Sequence, residues 1–290
     1  MSGLFRIISV TVTGPVVAIV LLLALLPLSV SAETKHLPDY LTFGFLPIVS
    51  PERLVKRFAP LTAYLSRELG IEIRMETAPD FLTFVQRTHD EQRYDILFTA
   101  PHLYYLAHKN HGYHAIARVD KAGMQAVIVA PHSRGIVSIE DLRGQRLATT
   151  DPLALATMLV RARLEEAGMN PDKDLTLVAT PSHNASLLST YQGVTDAAAL
   201  ILPLFRRASP EIRESMIIVA KTRMVPHMPI SVAPWVDSAM AERIGHALMK
   251  LDKSPESRSL LAHLDWPGFV PAREEEYAAL GWITEQLKAH

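Results

Sequence analysis

Short apolar runs rich in β-branched residues alternate along the chain with stretches of helical periodicity. The runs predict strands over residues 41–46, 71–75, 94–99, 115–119, 125–130, 146–149, 175–180, 197–202, 216–220 and 229–233. The clearest helix is predicted over 51–69, where Leu54, Phe58, Leu61, Leu65 and Leu69 recur on one face. Ser50-Pro51 opens it as N-cap and first helical residue, and Gly70 closes it. A second helix is predicted over 152–167, with Asp151 as its cap, Pro152 at its first position and Gly168 after its end. Further helices are expected at 102–110, 183–191, 237–250, 255–263 and 272–287. Strand–helix alternation of this kind gives α/β layers with mostly parallel sheets. No repeat, low-complexity tract or Pro/Gly/Ser-rich linker divides the chain. Two domains would therefore be joined by extended strands, with 125–130 and part of 216–233 as the candidates.

The N-terminus breaks this pattern. Arg6 is the only charged residue before Glu33, and residues 16–26 are eleven consecutive apolar residues ending at Pro27. Val30-Ser31-Ala32 then places small residues where a signal peptidase cuts, so 1–32 reads as a cleaved signal peptide. Eleven residues fall short of the ~20 needed to span a bilayer as a helix, so no stable membrane insertion is expected after cleavage. The chain has no cysteine, which excludes a lipid-anchored lipoprotein and leaves stability to the core. The expected location is a Gram-negative-type periplasm. A length of 290 residues allows about two domains. The net charge of −1, with no long run of one sign, argues against nucleic-acid binding.

Enzyme motifs are missing: there is no G-x-S-x-G elbow, Walker A loop, G-x-G-x-x-G fingerprint or H-E-x-x-H helix. The expectation is a binding protein without a cofactor, not an enzyme. His102, His108, His111 and His114 cluster within thirteen residues, but spacing alone supplies no closed ligand sphere, so no metal is expected. Residues just past strand C-termini line the ligand crevice of open α/β sheets. Four junctions qualify: Pro47 after the first strand, Thr99 to His102 after the third, Thr150-Asp151 after the sixth, and His183-Asn184 after the seventh. Each leads into a predicted helix, whose free N–H groups and partial positive charge suit an anion. Ser50, Asp151 and Ser182 also fit as ordinary helix caps.

At these junctions the sequence resembles the phosphate/phosphite/phosphonate substrate-binding components of ABC transporters, which are type II periplasmic binding proteins. The resemblance rests on FGFLP with PLTAYLSRELG, on Tyr94-Asp95-Ile96-Leu97-Phe98-Thr99-Ala100-Pro101 followed by Tyr104, and on Ser138 to Gly144 as S-x-x-D-L-x-G. Asp151-Pro152, His183 and Gly193 to Asp196 continue it in order. It implies two α/β lobes with mixed, mostly parallel sheets joined by crossover strands: 36–124 with 219–290, and 125–218. It implies a small, anionic ligand of phosphonate or phosphate type held in the cleft, and an inner-membrane ABC permease as partner. A periplasmic sensor domain is the alternative partner, and a monomer is expected. His183 is carried over as a cleft residue, Tyr104 as a hydrogen-bonding or packing residue, and Asp196 as a residue that orients His183 or meets a ligand amine. One departure stands out. The family's Ser-Thr-Ser run after Asp-Pro is replaced by Ala154, Leu155 and Ala156, ahead of Thr157. Three hydroxyl bonds to a charged group, each typically worth about 1.5–3 kcal/mol, are absent, and Leu155 offers an apolar wall instead.

Overall fold

The computed structural model describes residues 39–285. The chain first lays down β1 (Tyr40–Phe45), α1 (Pro51–Leu69), β2 (Glu72–Glu76), α2 (Phe81–His89), β3 (Ile96–Phe98), α3 (Pro101–His111) and β4 (His114–Val119). It continues with β5 (Ala126–Pro131), β6 (Arg146–Thr149), α4 (Leu155–Glu166), β7 (Thr176–Ala179), α5 (His183–Tyr191), β8 (Ala197–Ile201), α6 (Leu202–Arg206), α7 (Pro210–Glu214) and β9 (Met216–Lys221). It ends with β10 (Pro229–Val232), α8 (Ser238–Met249), α9 (Pro255–Leu264), β11 (Phe269–Val270), α10 (Glu274–Ala278) and α11 (Gly281–Glu285). The expected signal peptide, 1–32, lies outside the described residues. Among the described residues no helix is long and apolar enough to cross a membrane.

The strands form two mixed sheets. One has the order β11–β4–β10–β3–β1–β2, the other β7–β6–β8–β5–β9. Parallel pairing is confined to β2–β1–β3 and β7–β6–β8. The other strands pair antiparallel. β3 and β8 are buried throughout and β5 in all but its last residue, as their unbroken apolar runs require. α1 lays Leu54, Phe58, Leu61, Leu65 and Leu69 against the first sheet. There Phe58 stacks on Phe45 at 4.6 Å and meets Phe98 at 5.5 Å. Gly70 ends the helix in the left-handed conformation at φ 67°.

Several expectations shift. α4 begins three residues later than predicted. Asp151 closes a turn instead of capping the helix: its Oδ1 accepts from Leu153 N at 2.7 Å and its carbonyl from Ala154 N at 2.9 Å. Ala154 is the N-cap, with no side-chain cap bond. The single helix expected over 272–287 is two short ones, broken where Leu280 N turns back to Tyr277 O at 2.9 Å. The break buries Tyr277, whose hydroxyl donates to His227 O at 2.9 Å. Four elements lie outside the predicted ones: β11, α6 and α7, whose two to five residues are too few to display a period, and the nine-residue α2.

Two segments connect the sheets, 120–125 and 222–228. They flank β5 and β9, which both lie wholly in the second sheet, so the expected boundary at 218 falls inside β9. The two segments pair with each other. Met124 N donates to Val225 O at 2.6 Å, and Val225 N to Met124 O at 2.9 Å. Gln125 Nε2 reaches Thr222 O at 2.8 Å, and Ala126 N reaches Thr222 Oγ1 at 3.0 Å. This approach leaves no room for a side chain at Gly123, where a Cβ would sit 2.0 Å from Val225 O. Gly123→Ala is therefore expected to force the crossing segments apart, at about 1–3 kcal/mol. Thermal melts should show a lower midpoint; an unchanged midpoint would mean that the segments separate freely.

Candidate functional site

The site is built where parallel strands run out. β3 ends at Phe98, and Thr99 and Ala100 lead into α3 at Pro101. Thr99 is 2 % exposed, and its Oγ1 has no hydrogen-bond partner in the protein. His102, in the first turn of α3, is fully buried. Its Nε2 lies 2.9 Å from Leu153 O, in the turn that follows β6 of the other sheet. Burial pushes the imidazole down to about 4, so it is neutral at neutral pH. A carbonyl oxygen only accepts, so Nε2 carries the hydrogen and the unpartnered Nδ1 is an acceptor.

The second sheet answers with the same design. Thr150 follows β6, is buried, and leaves its Oγ1 unpartnered. The turn from Asp151 to Ala154 then starts α4 without a side-chain cap, and the first backbone bond into the helix is Met158 N to Ala154 O at 3.0 Å. The N–H groups of Leu155, Ala156 and Thr157 are the ones a helix start leaves without intrahelical partners. Ala154, Leu155, Ala156 and Thr157 are all buried, and Thr157 adds a further unpartnered hydroxyl. Burial also raises the Asp151 carboxyl above its usual range, with Asp80 nearby adding to the effect. At the end of β7, Thr180 is held by Thr149 O through its N at 2.8 Å and its Oγ1 at 2.9 Å. Ser182 caps α5 by accepting from Ala185 N at 3.2 Å. His183 follows, half-buried, with Nδ1 shielded and unpartnered and its imidazole pushed down to about 4 by burial.

Thr99, His102, Thr150, Thr157 and His183 thus place five unpartnered polar atoms at strand ends or helix starts. Other expected residues play different parts. Tyr104 is fully buried, but its hydroxyl donates to Glu274 and accepts from Ala115 N at 2.8 Å. It pins α10 against α3, which corrects the expectation of a ligand contact. Asp196 stands at the start of β8, the end opposite the strand C-termini. It accepts from Arg146 Nε at 3.0 Å and pairs with Arg134 at 3.1 Å. Those pairs hold its carboxyl below the usual range, so it neither orients His183 nor waits for an amine. Asn184 is exposed on α5, and Pro47 is half-buried in the loop after β1. The histidine cluster is dispersed. His108 Nδ1 binds Tyr113 O at 2.7 Å, and His111 stacks on His89 at 4.3 Å. Among the described residues no three His, Asp or Glu side chains are grouped to hold a metal.

A cavity of about 440 Å³ lies between the sheets and was not foreseen from the sequence. It is walled by Ile48, Phe98, Leu202, Met224, Met228 and Trp266, and by both crossing segments. His227 lines it too, with a buried, unpartnered Nδ1 and an imidazole pushed down to about 4. The clue in the sequence was a single polar residue between Pro226 and Pro229, within a segment already marked as a crossover.

Two outcomes follow from this geometry. Tyr104→Phe should cost about 1–3 kcal/mol of stability by stripping a partner from Glu274 and Ala115, and leave ligand affinity unchanged. Calorimetric melting and titration check both; a loss of affinity without a loss of stability would return Tyr104 to the site. His102 titrates at about 4 in the fold against 6.5 as its ordinary value, so the unfolded chain binds more protons between those limits. Its contribution, on the order of 3 kcal/mol, is full above about pH 6.5 and is lost as pH falls toward 4. In His102→Gln the decline of melting temperature over that window should be shallower than in the native chain. An equal slope would contradict the burial argument.

Comparison with known proteins agrees with this architecture. Residues 43–277 match the family model described as ABC transporter, phosphonate, periplasmic substrate-binding protein. The chain is 21% identical over 250 residues to the phosphonates-binding periplasmic protein of Escherichia coli strain K12, covering 82% of this chain and 74% of that protein. It superposes on PhnD1 of Prochlorococcus marinus, solved with methylphosphonate, with a TM-score of 0.76 at 17% identity, over 87% of this chain and 99% of that one. A binding component of an ABC phosphonate transporter from Pseudomonas aeruginosa gives 0.73 at 17% identity, over 84% and 85%. At such identities the structural likeness speaks for the fold, whereas the family match covers most of the chain. The chain belongs to the phosphonate-type family of periplasmic substrate-binding components of ABC transporters.

Proposed function

We propose that this chain captures a phosphonate-class anion in the periplasm and presents it to the inner-membrane permease of an ABC transporter. The observation that carries the reading is the set of unpartnered polar atoms on Thr99, His102, Thr150, Thr157 and His183. The threonine hydroxyls donate to anionic oxygens. The N–H groups of Leu155, Ala156 and Thr157 add the seat that a helix start provides, which offsets part of what the missing Ser-Thr-Ser hydroxyls would supply. His102 Nδ1, as an acceptor, suits the P–OH of a monoanionic phosphonate. Ligand binds between lobe one, built on the first sheet, and lobe two, built on the second, with the lobe boundary after β9 rather than at 218. Their closure bends the crossing segments at 120–125 and 222–228. The His102–Leu153 bond spans the two sheets and is made when they approach.

Titration calorimetry with methylphosphonate, phosphate and a carboxylate of similar size tests this reading. Methylphosphonate is expected to bind and to raise the melting temperature. Thr157→Val should weaken it by about tenfold to a hundredfold, the worth of one hydrogen bond to a charged group. The ligand-free variant should melt no lower than the native chain, because it loses a buried hydroxyl that had no partner. A variant that melts lower yet binds equally well would make Thr157 a structural residue and remove the main support for the site.

A further inference from the structure

The anion seat explains one end of a ligand, and the cavity beside it is chemically different. Phe98 forms part of its wall and precedes Thr99 directly, so the cavity reaches the end of β3, while the five seat residues themselves lie outside its lining. Phe98 packs on Trp266 at 5.2 Å, and Trp266 on Phe58 at 5.9 Å, giving a rigid aromatic floor. Ile48, Leu202, Met224 and Met228 complete an apolar lining. Methionine side chains adapt to irregular shapes, so the lining accommodates more than one chain length.

The charges around the cavity are lopsided. Arg57, Lys121, Arg206 and Arg207 line it against a single carboxylate, Asp265. Asp265 is already engaged by Arg207 and by Lys121 at 3.5 Å, which hold it below the usual carboxylate range. Arg57 is held as well, donating to Leu264 O at 3.0 Å and lying 5.4 Å from the centre of the Phe58 ring. An ammonium group entering here would meet cations and no free carboxylate. A hydrocarbon would meet rings and aliphatic chains.

We infer that the site selects phosphonates bearing an uncharged, apolar substituent and discriminates against aminoalkylphosphonates. The phosphonate sits at the strand ends and the substituent enters the cavity. This inference rests on the phosphonate reading above. The test is titration of the full chain with methyl-, ethyl-, propyl-, butyl- and 2-aminoethylphosphonate. Each methylene buried should tighten binding about fourfold, or about sixtyfold from methyl to butyl. The aminoethyl compound should bind about tenfold or more weakly than propyl, which has nearly its shape. Met224 is 60% exposed, so a charge there is compatible with folding. In Met224→Glu the propyl preference should narrow by about tenfold. If methylphosphonate binds but affinity does not rise with chain length, or the amine binds as well as propyl, the inference fails and the phosphonate reading stands. A folded Met224→Glu with an unchanged preference also overturns it. If no phosphonate binds, the phosphonate reading fails and this inference fails with it.

Discussion

A hydroxyl or imidazole nitrogen buried without a partner costs about 1–3 kcal/mol, and this fold carries five of them at strand ends and helix starts. Tyr94, His227 and Ser231 carry three more elsewhere, while other buried polar side chains are satisfied within the protein. Thr42 pairs with Asp95, Thr180 with Thr149 O, and Asp196 with Arg146 and Arg134. Thr99, His102, Thr150, Thr157 and His183 do not settle theirs, although the chain around them is tightly ordered by its own hydrogen bonds. The turn at Asp151 fixes where α4 begins, and so fixes which N–H groups stay free. A mobile loop would turn such groups to water. A rigid strand end cannot, so it keeps them fixed in place without partners.

The same rigidity needs a joint. The two sheets are connected by 120–125 and 222–228, and the pairing of Met124 with Val225 makes these a short two-stranded strap rather than independent linkers. Contacts that span the sheets lie to either side. His102 meets Leu153 near the proposed anion seat, and Arg207 meets Asp265 at the rim of the cavity. The first is neutral and buried. The second is an exposed ion pair of small net worth, suited to forming and breaking as the sheets approach and part.

Much of this was legible in the residues. Unbroken apolar runs marked the strands, and Ser50-Pro51 with Gly70 bracketed α1 to the residue. The junctions after β3, β6 and β7, singled out from the sequence, are where Thr99, His102, Thr150 and His183 carry unpartnered polar atoms. The rest was hidden for physical reasons. Asp151 suits a helix cap and a turn equally, and only the backbone decides between them. Tyr104 finds Glu274 170 positions away, and Asp196 finds Arg146 50 away; no local pattern reports such pairs. The cavity draws on Ile48, Phe98, Leu202, His227 and Trp266, five distant stretches that only the fold assembles. The loss of hydroxyls at Ala154, Leu155 and Ala156 looked from sequence like a weakened seat. The structure shows that those positions are the uncapped N-cap and first helical residues, where a helix start leaves backbone N–H groups without intrahelical partners.

The most direct measurement is a crystal structure with methylphosphonate bound. Its oxygens are expected within hydrogen-bond distance of at least two of Thr99, Thr150 and Thr157 and of the N–H groups at the start of α4, with the methyl group directed to the cavity behind Phe98. A phosphonate bound elsewhere, with those hydroxyls still lacking partners, would contradict it.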